Sequence, residues 1–352
     1  MNNESQACVS VVIPVYNVEQ YLERCLQSVL SQTYENIDIV LLNDGSTDNS
    51  GQICQKFAAA YPQIRYFYHD NMGLSETRNK GIEIALGEFI TFLDADDWIE
   101  PHFIDDLLGD MLQNGADIGL CDMNYINAAT TEKHVVKLRF TQAINTVAKN
   151  HSVINKSRLF ACGKLYRRSL FLVSNLRYPD FAYEDICTPL VIASASAVSY
   201  IAKPLFNYTV NRPGSLSNTP GNIRDLGRGL VWLKEKLLER GLFHELYLEY
   251  KKIVLAQYRF AVRRFGHIED MLIQEDLYKL GDLVGELIPA LKDIRERKYY
   301  VPADSPLMKA ALDCCLPFAG QIVDILSDDA YQLAIDEATV KYSMAELLME
   351  VL

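Results

Sequence analysis

The first hundred residues alternate short runs of β-branched residues, polar turns and stretches whose apolar positions recur with helical spacing. Such a chain has few options, since strands alternating with helices bury their apolar faces best as a largely parallel sheet covered by helices. Residues 9–13 (VSVVI) read as a buried strand stopped by Pro14, and residues 19–31 as a helix with Leu22, Cys25, Leu26, Val29 and Leu30 on one face. Residues 37–42 are the next expected strand. It leads into NDGSTDNS, where Asp44-Gly45 makes a turn and Ser46, Thr47 or Asp48 caps a helix carrying Ile53, Phe57 and Ala60. Strands at 65–68, 89–93 and 117–123 and helices at 75–86 and 101–113 complete the expected pattern.

Residues 130–220 are irregular in pattern and end in the loop NRPGSLSNTPGN at 211–222; helical runs at 223–240, 243–265, 268–288 and 307–316 follow. A boundary is expected near residue 222, where prolines and glycines cluster. With 352 residues, 49% apolar and 23% charged, the chain can bury a sizeable core. Its net charge of −12 argues against a nucleic-acid partner, which needs a basic face. Eight cysteines without a CxxC pair read as reduced, mostly buried thiols of an intracellular protein. No basic n-region opens the sequence and no run approaches the roughly 20 apolar residues of a membrane helix, so neither export nor spanning is expected. Peripheral contact through an amphipathic helix stays open.

Ligands of open α/β sheets bind outside the carboxyl ends of the strands, and the residues there are polar. They are Pro14-Val15-Tyr16-Asn17, Asn43-Asp44-Gly45-Ser46, His69-Asp70-Asn71, and Asp94-Ala95-Asp96-Asp97. A dinucleotide site would need GxGxxG after the first strand, and PVYNVE contains no glycine. Three aspartates within four residues repel one another unless something positive neutralises them. Mg²⁺ or Mn²⁺ suits such hard oxygens, while a helix cap with solvated charge is the alternative.

Together the segments PVYNVEQYLERCLQSVLSQTY, NDGSTDNS, NMGLSETRNKGIEIALGEFITFLDADDW and the later YED resemble a family 2 glycosyltransferase of the GT-A type. The resemblance is strongest over residues 8–125 and continues more weakly to about 215. It implies a Rossmann-like α/β mixed sheet with covering helices in residues 1–222; beyond 222 the resemblance gives out, and the helical runs alone point to a helical C-terminal region in 223–352. The implied activity is metal-dependent, inverting transfer of a sugar from a nucleoside diphosphate sugar, UDP-linked, to a hydroxyl of a glycan or lipid-linked glycan in surface polysaccharide synthesis. The implied location is cytoplasmic, at the inner face of the cell membrane, with the C-terminal helices open to membrane contact or homodimer formation.

By the same resemblance, Pro14 and Tyr16 frame the nucleobase and Asp44 accepts the uracil N3–H, an acceptor-only group facing a donor. Asn71, Gly73 and Arg78 belong to the segment closing over ribose and donor sugar, with an ordinary exposed helix charge as the alternative for Arg78; Asp94 contacts ribose or sugar, and Asp96 ligates Mn²⁺ or Mg²⁺. Asp97 caps the following helix or orients Asp96. Glu184-Asp185 matches the family's ED motif, with Asp185 as general base and Glu184 orienting the acceptor hydroxyl. Lys164 in ACGKLYRRSLF resembles a segment usually written NKLY, although Gly163 stands where Asn is common. Arg212, on a Gly/Ser/Pro-rich stretch, either closes over the diphosphate or is an incidental charge of a surface loop. Arg259, Arg263, Arg264 and His267 form either a basic stripe toward anionic lipid or a solvated helix face. Two rivals remain. A nucleotidyltransferase would need a glycine-rich basic loop after the first strand, and a non-catalytic partner of another transferase is disfavoured by intact Asp44, Asp94, Asp96 and Asp185.

Overall fold

The first apolar run forms β1 (Val9–Val15), and all of its residues are buried. In the computed structural model, which describes residues 6–181, 184–212, 214–215, 223–265 and 271–287, this strand lies inside the sheet of the first of two units. That unit is Met1–Asn218 with Glu235–Arg240, and the other is Thr219–Lys234 with Gly241–Leu352.

β1 pairs in parallel with β2 (Ile37–Asp44) on one side and β4 (Phe89–Phe92) on the other, and β3 (Ile64–His69) extends the parallel set beyond β2. The strand does not stop at Pro14. Leu93 donates its N–H to the Val12 carbonyl at 3.0 Å, so even-numbered residues of β1 turn their backbone groups toward β4. The last β1–β4 pair is Val12 with Phe92, and Pro14 therefore lacks its N–H where no partner strand remains.

Helices α1 (Leu22–Leu30), α2 (Ser50–Ala60), α3 (Leu74–Ile84) and α4 (Phe103–Asn114) form where periodicity predicts them, with ends shifted by one to three residues. Alternate residues of β1 serve two faces. Val9, Val11, Ile13 and Val15 join Leu22, Leu26 and Val29 of α1 and Phe103, Ile104 and Leu107 of α4 in one buried cluster. Val12 faces α3, whose backbone comes so close that a Cβ on Gly81 would lie 2.3 Å from Val12 Cγ1.

Beyond β4 the sheet becomes mixed, in the order β3-β2-β1-β4-β9-β6-β10-β5, with β9 (Lys164–Arg167) antiparallel to both β4 and β6 (Ile118–Asn127). The two-residue β5 (Trp98–Ile99) lies between β4 and α4, and short strands β7 (Lys133–Val136) and β8 (Ile144–Thr146) with helices α5 (Val153–Lys156), α6 (Ser169–Val173) and α7 (Thr188–Ala193) occupy the irregular region. The 14-residue β10 (Ala197–Val210) is the element that pattern reading misses. Lys203-Pro204 interrupts its sequence, and the strand absorbs Pro204 through register shifts on either side of it in its pairing with β6.

The second unit holds α8 (Ile223–Glu239) up to Lys234, α9 (Tyr247–Phe265) and α10 (Met271–Leu287), which match the expected helical runs closely, α9 starting four residues late. Tyr250 donates its hydroxyl to the Leu230 carbonyl at 3.1 Å, and Arg224 pairs with Asp276 at 3.3 Å. The expected boundary at 222, His267, the side chain of Arg263 and the expected helix at 307–316 lie outside the described residues. Among the described residues no helix is long and apolar enough to cross a membrane, and the six described cysteines are unpaired.

Gly81→Ala should destabilise the full chain by about 1–3 kcal/mol in urea denaturation, because the added methyl forces α3 off β1. Gly109→Ala, in the exposed interior of α4 with nothing within 4 Å of its Cβ position, should instead stabilise it by about 0.5–1 kcal/mol.

Candidate active site

Two turns at the carboxyl ends of β1 and β2 are stitched together side chain to backbone. Asn17, at φ 51°, accepts the Thr47 N–H through Oδ1 at 2.8 Å, while its own N–H donates to Ser46 Oγ at 3.2 Å. Asp48 does accept the Ser50 N–H at the start of α2, but its second oxygen takes the Glu19 N–H. Ser46, Thr47 and Asp48, expected only as caps, thus fix the two turns against each other.

Tyr16 stands 49% exposed at this edge, whereas Pro14 is buried in the strand. Asp44, 4% exposed, accepts the Met72 N–H at 2.7 Å and the Gly73 N–H at 3.0 Å, and His69 Nδ1 lies 3.2 Å from it. Gly73 at φ 87° starts α3, and the Asn71 backbone sits where a Cβ on Gly45 would be, 2.7 Å away. Asp44 therefore ties the segment 71–73 to the end of β2. The two backbone hydrogen bonds, with His69 beside one oxygen, still leave lone-pair directions on the carboxylate for a base edge.

The acidic turn after β4 is held from several sides. Thr209, near the end of β10, donates its N–H to Asp97 Oδ1 at 2.7 Å and its hydroxyl to the Asp96 carbonyl at 2.6 Å. Arg24 of α1 donates to the same carbonyl at 2.8 Å while its guanidinium lies 3.7 Å from the Trp98 ring centroid. Arg212 donates Nε to Asp96 Oδ2 at 2.5 Å. Burial pushes the Asp96 carboxyl up, opposed by Arg212 and reinforced by Asp94; burial, then Asp96 and Asp94, push Asp97 well above the usual carboxylate range. Asp97 Oδ2 is buried with no hydrogen-bond partner among the described residues, and donor atoms of Asp94, Asp97 and Cys162 lie within 4.8 Å of one another. Mutually repelling carboxylates with an unmet buried oxygen fit a hard divalent cation, the group that the resemblance implies.

Arg78 is no exposed helix charge. It is 1% exposed, and it donates NH2 to Asp94 Oδ1 at 2.8 Å and NH1 to Asp185 Oδ1 at 3.2 Å. Asp185 lies in the short 3-10 helix Glu184–Cys187, and its Oδ1 also accepts the Ala161 N–H at 2.9 Å. Oδ2 accepts no hydrogen bond among the described residues. Burial pushes the Asp185 carboxyl up, with Arg78 pulling it down and Asp94 pushing it up again. The side chain of Glu184 lies outside the described residues.

A family model described as Glycosyl transferase family 2 matches residues 10–172. Glycosyltransferase GlyG of Streptococcus pneumoniae is 33% identical over 224 residues, covering 60% of this chain and 73% of that protein. The chain belongs to glycosyl transferase family 2. Glycosyltransferase GlyA of the same species is 34% identical over 220 residues, 59% of this chain, but this chain spans only 31% of GlyA. Staphylococcus aureus TarS 1–349, solved in complex with UDP-GlcNAc, shares the fold at a TM-score of 0.55 and 19% identity, covering 84% of this chain and 93% of that one. The expected GT-A arrangement of mixed sheet and covering helices is therefore the fold of this family member.

Gly163, where the family's segment commonly has Asn, adopts φ 69°. Glycine and asparagine are the two residues most at ease there, so the departure preserves one backbone demand. Sequence reading missed Arg24 and Thr209. Arg24 has no local signal beyond its place on α1, and Thr209 sits on the unrecognised β10.

Arg78→Met should cost on the order of 3 kcal/mol in chemical denaturation, because two carboxylates lose their shared buried cation. Arg78→Lys should recover less than half of that loss, since one ammonium cannot reproduce a fork that spans two acids.

Proposed function

We propose that this family member is a metal-dependent, inverting glycosyltransferase that moves a sugar from a nucleoside diphosphate sugar, UDP-linked, to a hydroxyl of a glycan or lipid-linked glycan. The observation that carries the reading is the Arg78 bridge, which joins an acid of the strand-end turn, Asp94, to the candidate base Asp185. Inverting transfer needs one base near the sugar and no covalent sugar on the protein.

Asp44 and Tyr16 hold the base, with Asn71 and Gly73 over the ribose and Asp94 at ribose or sugar. Asp185 takes the acceptor proton on Oδ2, the oxygen left unbonded, as the acceptor oxygen attacks the anomeric carbon opposite the leaving diphosphate. Burial raises its pKa, which makes the carboxylate a stronger proton acceptor. Asp96 is the proposed ligand of Mn²⁺ or Mg²⁺; when bound, such an ion supplies charge neutralisation to the departing diphosphate. Arg212, now on Asp96, lies where it can serve that diphosphate as well. Residues 1–222 are read as the catalytic part and 223–352 as the acceptor-facing or partner-facing part.

Screening nucleotide sugars for slow hydrolysis with Mn²⁺ tests the reading directly, and calorimetry with UDP should show binding that Mn²⁺ strengthens. No turnover of any donor together with no metal-dependent UDP binding overturns it. Asp185→Asn should keep UDP affinity within about twofold while turnover falls by about 10²–10⁴-fold. Asp96→Asn should lose the metal-supported part of UDP binding with little change in melting temperature; a large drop would assign Asp96 a structural role instead.

A further inference from the structure

Lys164 opens β9 with its side chain turned into the protein, where it is 3% exposed. Its ammonium donates to the Phe160 carbonyl and, at 3.5 Å, to the Cys162 carbonyl. Both carbonyls belong to the segment 160–163, which bends at Gly163 just before β9 begins. The ammonium thus fills the bend of its own preceding loop.

Direction follows from that placement. With the carbonyls of Phe160 and Cys162 turned toward the ammonium and the Ala161 carbonyl held by the Tyr166 hydroxyl at 2.9 Å, the Ala161 N–H faces Asp185 and donates to Oδ1. Phe160 stacks on Tyr208 of β10 at 5.2 Å and 23°, which anchors the other end of the strap. A methionine would fill similar volume without burying a charge, yet it would leave both carbonyls unmet.

We propose that Lys164 is a positioning residue for the base: its ammonium holds the 160–163 strap so that the Ala161 N–H fixes Asp185 Oδ1 and leaves Oδ2 for the acceptor proton. The inference rests on the reading of Asp185 as base. Arg78, Asp94 and Lys164 are the charges that face Asp185, while Cys162, Asp185, Cys121 and Arg158 surround Lys164. Burial lowers the Lys164 ammonium to about 8; Cys162, Asp185 and Cys121 oppose that fall, while Arg158 adds to it.

The test compares the full-length wild type with Lys164→Met and the milder Tyr166→Phe, using UDP with Mn²⁺ for affinity and the nucleotide sugar that the wild type hydrolyses for turnover. Lys164→Met should leave UDP affinity within about twofold and lower kcat about 10–100-fold, the scale of a misplaced catalytic group. The acidic limb of its kcat profile should move to higher pH, because the Ala161 hydrogen bond and the Lys164 charge both favour the Asp185 carboxylate. Hydrogen exchange at the Ala161 amide should quicken in the folded variant. Tyr166→Phe should shift the same readouts in the same direction by less, and it decides the matter if Lys164→Met does not fold. An acidic limb that stays in place, an unchanged Ala161 exchange rate, or equal losses of kcat and UDP affinity overturns the proposal. If the wild type hydrolyses no nucleotide sugar, the functional reading fails on the wild type alone, and the exchange rate at Ala161 still decides whether Lys164 holds the strap.

Discussion

One buried guanidinium, that of Arg78, decides how the candidate site is assembled. A cation with 1% of its surface exposed is tolerated only where anions and hydrogen bonds replace lost water, and Asp94 and Asp185 supply both. Those acids are 16 and 107 positions away along the chain. The guanidinium is expensive to bury without them, so it ties α3, the end of β4 and the 3-10 helix around Asp185 together. The forked shape of arginine matters as much as its charge, because two separate carboxylates are met by two nitrogens of one rigid plane.

Around that bridge the protein accepts an electrostatic imbalance that a purely structural turn would avoid. Burial and the Asp94 charge raise the proton affinity of Asp96, and burial with the charges of Asp96 and Asp94 raises that of Asp97. Arg212 on the Asp96 carboxylate, Arg24 on the Asp96 carbonyl and Thr209 on that carbonyl and the Asp97 carboxylate restrain the turn from outside. The result is a rigid acidic cradle at the carboxyl end of a parallel sheet, the place where such sheets gather ligands. Departures from local stability rules tend to collect where chemistry is done, and here they collect at one strand end.

Much of this was legible in the sequence. The β1–β4 segments and the four main helices of the first unit follow from β-branched runs and helical spacing, and the polar strand ends mark the site before any coordinates. Pro14 misleads at the end of β1, because whether a proline ends a strand depends on whether a neighbouring strand still needs its N–H. β10 stays hidden because its bulges around Pro204 are stabilised by β6, which pattern reading cannot see. Ser46, Thr47 and Asp48 were read as helix caps, and their larger work is to bind the turn after β1.

The sequence alone determined the class of fold, the order of its strands and helices up to about residue 125, and the family, because these depend on local periodicity and on short motifs with their own physical demands. Only the tertiary structure decided which charges meet: Arg78 with Asp185, Arg212 with Asp96, Lys164 with the carbonyls of its own loop. Spacing along a chain carries no record of distance across a sheet. A charged side chain finds its partner only after burial has removed water as the competing partner.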